Sequence, residues 1–134
     1  MPAHLTLFGQ LPPSAEAELK RRLAFYAATP APKAAIAGVI DLGGGTALRV
    51  ESEGLEDIRH DLALALRGLL TSQDSAPWRP HITIQNKVEP REARRLQARL
   101  RAGFERRPLA IKGLALWRYL GGRWEPVRTF AFRG

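Results

Sequence analysis

Cysteine is absent from the 134 residues, which removes disulfides, thiol nucleophiles and thiolate-held zinc or iron–sulfur clusters together. No basic opening followed by an apolar run begins the chain, and no window approaches the roughly 20 apolar residues that a bilayer crossing needs. A soluble protein of the cytoplasm, without membrane contact, is therefore expected. Acidic residues are the scarcer charge: 13 Asp and Glu stand against 21 Lys and Arg, a formal net charge of +8. That balance disfavours a cationic partner and favours an anionic one. The charges are spread along the chain, however, and a merely solubilising basic surface accounts for them equally well. Hydrophobic content of 45% and charged content of 25% are ordinary for one globular domain, long enough to bury roughly two-thirds of its unfolded surface.

Alternation at residues 3–8 puts Leu5 and Leu7 on one face and His4, Thr6 and Phe8 on the other, which predicts a strand. Ser14, with Glu16 and Glu18 behind it, is the expected N-cap of a helix running to about residue 28, with Leu19, Leu23 and Tyr26 as its apolar stripe. Residues 36–42 and 47–51 predict two strands around Gly43, Gly44 and Gly45. These glycines lack the spacing of a phosphate-binding loop and read as a turn. A linking helix is expected over about 54–71 on Leu55, Ile58, Leu62, Leu66, Leu69 and Leu70, with His60 on its surface, and then a loop over 72–77. Residues 79–88 alternate again, with Ile82 and Ile84 opposite His81, Thr83 and Gln85. A basic helix to about 105 and two strands, 109–120 and 124–132, complete the pattern.

Strand, helix, strand, strand thus occurs twice, in halves of about 1–53 and 78–134. The expected fold is α+β, bilobal and pseudo-two-fold, a duplicated β-α-β-β arrangement with antiparallel sheets flanking a central cleft. Each half opens with the same tetrapeptide type, His4-Leu5-Thr6-Leu7 and His81-Ile82-Thr83-Ile84. A strand's period of two sets each His beside its Thr on one face. A solitary His-x-Thr is usually just a strand, but two of the three histidines occupy matching slots.

Facing across a cleft, two imidazoles supply the base that activates a hydroxyl or water and the acid that protonates the departing oxygen of a phosphoester. Threonine hydroxyls suit the non-bridging oxygens. Such chemistry requires neither metal nor cofactor. Phe8, Trp117 and Tyr119 are candidates for base stacking, although core packing explains such residues as readily.

Residues 2–8, Pro-Ala-His-Leu-Thr-Leu-Phe, and 78–84, Trp-Arg-Pro-His-Ile-Thr-Ile, resemble the two motifs of the two-histidine (2H) phosphoesterase superfamily. The resemblance is to its 2′-5′ RNA ligase and RNA 2′,3′-cyclic phosphodiesterase family. It implies a two-lobed fold around a cleft that takes an RNA end or a nucleotide with a cyclic phosphate. It further implies His4 and His81 as acid and base, Thr6 and Thr83 as phosphate ligands, and Arg79 as an anion contact. The implied activity is opening of a 2′,3′-cyclic phosphate to a 2′-phosphate, with 2′-5′ ligation as a related reaction. Such proteins carry a strand and helix before the first motif, which the three residues ahead of His4 do not supply. A non-catalytic RNA- or nucleotide-binding module on the same fold is the alternative expectation.

Overall fold

The computed structural model describes residues 3–133; Met1, the motif's Pro2 and Gly134 lie outside them. Strand β1 (Ala34–Asp41) turns back as β2 (Thr46–Glu51) through the glycine triplet. Gly43 takes φ +84°, a left-handed conformation that costs glycine nothing. Its N–H donates to Asp41 Oδ1 at 2.7 Å, and Leu42 N–H reaches the Gly45 carbonyl at 3.0 Å. The triplet is therefore a turn, as expected. Gly45 has a second constraint: a Cβ there would collide with the carbonyl oxygen of Gln85, at the end of β3 (His81–Gln85).

With β4 (Arg107–Leu109), these strands form one antiparallel sheet in the order β3-β2-β1-β4. Helix α4 (Pro90–Ala102) packs on one face through buried Ala93 and Gln97. Gln97 is only 2% exposed, and its Nε2 lies 3.1 to 3.2 Å from Asp41 Oδ1, the Gly45 carbonyl and Thr46 Oγ1. A buried amide must be satisfied in this way, and here it locks the helix to the hairpin turn.

Strands β5 (Gly113–Tyr119) and β6 (Trp124–Ala131) form a separate two-stranded sheet covered by α1 (Glu16–Ala27). Leu19, Leu23 and Tyr26 of α1 meet Leu114 and Phe130 there. Leu62 of α2 (Glu53–Ala65) and Leu66, which caps that helix, complete this core. Tyr26 donates its hydroxyl hydrogen to Asp61; burial, followed by that contact, pushes the phenol up to about 12. The helix after each His-x-Thr motif thus covers the hairpin contributed by the other half. The α+β class is as expected.

Several local expectations are corrected. Residues 3–8 form no strand; their backbone groups are met by side chains instead, as described below. Ser14 caps nothing. Pro13, whose ring presets a helical φ, starts a 3-10 turn over Pro13–Ala15, and Ser14 falls inside it. The linking helix ends at Ala65, because Gly68 at φ +87° turns the chain away. The loop that follows holds a one-turn helix, α3 (Ser72–Ser75), capped by Thr71 Oγ1 accepting from Asp74 N–H at 3.2 Å. The stretch expected as one strand over 109–120 is divided between two sheets: Leu109 pairs with Ala34, and Gly113 with Ala131. His60 is exposed, as expected.

Gly45→Ala should lower stability by on the order of 1–3 kcal/mol, since the strand behind it has no room to move. Gly103→Ala, where an added Cβ meets nothing within 4 Å, should stay within about 0.5 kcal/mol. Urea denaturation of both variants checks this, and equal losses would contradict the packing described.

Candidate active site

Motif two is held by a sheet ladder. In register, His81 lies opposite Arg49 and Thr83 opposite Ala47. Residues directly opposite in an antiparallel pair project to the same face, so His81, Thr83, Ala47 and Arg49 share one face. Thr46 is on the other, bonded to α4.

The expected alternation breaks after Thr83. A bulge sets Gln85 opposite Thr46, and Gln85 Oε1 accepts from Thr46 Oγ1 at 2.9 Å, so Gln85 leaves the histidine face. Ile84, expected as a core anchor, is instead 45% exposed on this edge strand, while Ile82 is half-buried.

His81 is half-buried, and its Nδ1 lies 2.7 Å from the carbonyl oxygen of Arg79. A carbonyl only accepts, so Nδ1 carries the hydrogen. In the neutral ring the lone pair is then on Nε2. The backbone of Arg79 thereby orients the imidazole. Its guanidinium is exposed and forms no ion pair among the described residues.

Motif one is held quite differently. Its inside-out pattern survives without a strand: His4 and Thr6 are exposed, Leu5 and Leu7 half-buried, and Leu7 and Phe8 pack on the α1 core. The Thr6 carbonyl accepts from Trp78 Nε1–H at 3.0 Å, three residues before His81. The next carbonyl, Leu7 O, accepts from Arg59 Nε at 2.7 Å, and Arg59 also donates to the Asp74 carbonyl at 2.7 Å. The Asp74 carboxylate in turn accepts from Gly9 N–H at 2.8 Å and Gln10 N–H at 3.1 Å.

Arg59 and Asp74 are 8% and 6% exposed. The guanidinium lies 4.0 Å from the Phe8 ring centre and 5.9 Å from that of Trp78, within cation–π range of both. Burial pulls Arg59 below its ordinary pKa, and the charge of Asp74 opposes that shift. The knot joins α2, α3, motif one and Trp78, three residues before His81.

Neither Arg59 nor Asp74 was singled out from sequence. A signal existed for Arg59: it falls on the buried spacing Leu55, Arg59, Leu62, Leu66, where a charge is out of place unless it has a task. Arg49 was also missed, because only the strand register places it beside His81. Of the aromatic candidates, Phe8 gives one ring face to Arg59, Trp117 is half-buried, and Tyr119 is 56% exposed. Tyr119 packs on Trp124, with ring centres 5.0 Å apart, on the sheet face opposite α1. Among the described residues, no group of three or more His, Cys, Asp or Glu is placed to hold a metal ion. No helix among them is long and apolar enough to cross a membrane.

This architecture and these motifs are those of a known family. Residues 1–123 match the family described as the 2′-5′ RNA ligase superfamily. The chain belongs to that superfamily. Over 93 residues it is 38% identical to an RNA 2′,3′-cyclic phosphodiesterase of Geobacillus stearothermophilus, a match covering 63% of this chain and 30% of that relative. The match therefore takes in less than a third of that protein's length. Its fold is similar to the crystal structure of TT0787 of Thermus thermophilus, with TM-score 0.65 and 21% identity over 100% of this chain and 81% of the other.

Replacing Asp74 with Ala should remove two charge-assisted bonds and leave Arg59 without its counter-charge, a loss on the order of 3 kcal/mol. Amide exchange at Gly9 and Gln10 should accelerate ahead of exchange in β2. Unchanged protection at both amides would show that the knot does not hold motif one.

Proposed function

We propose that this chain is a phosphoesterase that opens 2′,3′-cyclic phosphates of RNA ends or nucleotides to 2′-phosphates, with His4 and His81 as its acid–base pair. The observation that carries this reading is the Trp78–Thr6 hydrogen bond, which joins motif one to the residues immediately before His81. Both segments then serve one phosphate. A water attacks phosphorus in line with the 3′ oxygen, one imidazole takes the water's proton, and the P–O3′ bond breaks. The other imidazole delivers a proton to O3′, leaving the phosphate on the 2′ oxygen. His81 works through Nε2, the nitrogen that its contact with Arg79 leaves available.

Thr6 and Thr83 donate their hydroxyl hydrogens to the non-bridging oxygens, where the transition state gathers charge. Arg79, exposed beside motif two, adds a cation for the bound phosphate. Tyr119, supported by Trp124, offers the most accessible face for a base; Trp117 and Phe8 are more enclosed. With a 5′-hydroxyl in place of water, the same displacement forms a 2′-5′ linkage. None of these steps calls for a metal ion, and the reaction is that of a cytoplasmic RNA-processing enzyme.

The test is hydrolysis of 2′,3′-cyclic AMP in chelator by wild type, His4→Ala and His81→Ala. Each substitution should lower kcat by on the order of 10²–10⁴-fold. Phosphorus NMR should show the 2′-phosphate as product. Equal turnover in all three would reject the mechanism, while nucleotide binding without turnover in wild type would favour a binding module instead.

A further inference from the structure

The sheet face that carries His81 continues beyond the two motifs. Val50 N–H donates to the Pro80 carbonyl at 3.0 Å, which makes Arg49 and His81 a non-hydrogen-bonded pair in the ladder. In such pairs the Cα atoms stand about 4.5 Å apart and the side chains lie closest. Arg49 is thus the cationic neighbour of His81 on its own face.

Its half-exposed guanidinium lies along this face of the sheet toward β1. Nη2 donates to the Ala37 carbonyl at 2.8 Å and Nη1 to Glu51 Oε1 at 2.8 Å. Gly38 makes this path possible, since a Cβ there would lie 3.2 Å from Arg49 Nε. The other oxygen of Glu51 accepts from Arg106 at 3.0 Å. Hydrogen bonds from Arg49 and then Arg106 hold the Glu51 carboxyl below its ordinary pKa. Two arginines therefore share one carboxylate and retain a net positive charge.

Glu51 lies opposite Ala35, and Ala35 opposite Pro108, so the same face runs on to β4. At that edge of the sheet Lys33, Ala35, Arg106 and Pro108, with Ala34, Arg107 and Leu109 of the other face, line a surface depression. Lys33 and Arg107 form no ion pair among the described residues. From β3 to β4 the sheet spans three strand spacings, about 14 Å, more than one nucleotide needs.

We propose that Arg49, Arg106 and Lys33 form a track for the sugar-phosphate backbone adjoining the reacting phosphate, so that the preferred ligand is a single-stranded RNA end rather than a free nucleotide. This rests on the phosphoesterase reading above. Arg49, Arg106 and Lys33 follow one face of one sheet, starting beside His81, whereas Arg107, opposite buried Ile36, projects to the other face. The arginines of α4, by contrast, belong to a helix packed on the opposite face. Net charge alone would draw RNA to either side; only the track connects it to the proposed chemistry.

Fluorescence anisotropy with a labelled five-nucleotide RNA ending in a 2′-phosphate tests this, with the matching 2′-phosphate mononucleotide as competitor. Wild type should prefer the longer ligand by on the order of ten-fold, through added phosphate contacts. Lys33→Ala/Arg106→Ala should weaken the pentamer by on the order of ten-fold, and more than it weakens the mononucleotide. The salt slope for the pentamer should fall by about 1.4, roughly 0.7 for each lost phosphate contact on a single strand. Arg95→Ala/Arg99→Ala removes the same charge from exposed positions of α4 and should leave pentamer affinity within about two-fold.

No length preference in wild type, or equal losses from the two double variants, would overturn the track. Binding is read here without turnover. Absence of hydrolysis would therefore reject the phosphoesterase reading while leaving this outcome readable, and hydrolysis without length preference would reject the track alone.

Discussion

The guanidinium of Arg59 is the contact on which the arrangement of the candidate site depends. Motif one has no strand neighbour in the structure, and an extended segment without one exposes a donor and an acceptor at every residue. Two successive carbonyls, Thr6 O and Leu7 O, are instead taken by Trp78 and Arg59, and the amides of Gly9 and Gln10 by the Asp74 carboxylate. Burying a cation so deeply is costly unless its hydrogens are accepted and its charge is opposed. The carbonyls of Leu7 and Asp74, the rings of Phe8 and Trp78, and the nearby Asp74 charge meet those needs. Each member of the knot is a condition for the others, which makes it a coupled network rather than a sum of pairs.

A consequence is that the two halves of the site differ in what fixes them. His81 and Thr83 belong to a ladder shared with β2 and supported by α4, so displacing them would disturb a whole sheet. Thr6 is held by, and His4 precedes, a knot of a few side chains from α2, α3 and the segment before β3. Local opening is governed by how many contacts must break together. Motif one is accordingly the segment whose position a single substitution at a distance can alter, although its residues look equivalent to motif two in sequence.

Much of this was legible in the sequence because periodicity reports burial. The glycine turn and the helices over α1, α2 and α4 followed from spacing, and the motif resemblance identified the superfamily. What failed were inferences needing a partner outside the segment. Alternation at residues 3–8 correctly separated exposed His4 and Thr6 from half-buried Leu5 and Leu7, but it does not specify whether a ladder or side chains meet the backbone. The division of residues 109–120 between two sheets was equally hidden, since Leu109 and Gly113 differ only in which distant strand receives them. Arg59 left a trace as a charge on an apolar stripe; Asp74, in a polar loop, left none.

The end of β3 shows how a departure from regularity keeps Gln85 off the face that carries His81 and Thr83. A regular strand would place Gln85 beside His81 and Thr83, adding an amide able to compete for phosphate oxygens. The bulge turns it through the sheet to Thr46, whose hydroxyl also lies 3.2 Å from Gln97 Nε2. Gln97 reaches the Gly45 carbonyl as well, and Gly45 lacks a side chain at the point where β3 passes. A buried polar cluster, a glycine and a bulge are thus one device. Filling the glycine would press on Gln85, shift the bulge and weaken the bond that draws the amide away, so a packing change behind the sheet would reach the face of His81 and Thr83 in front of it.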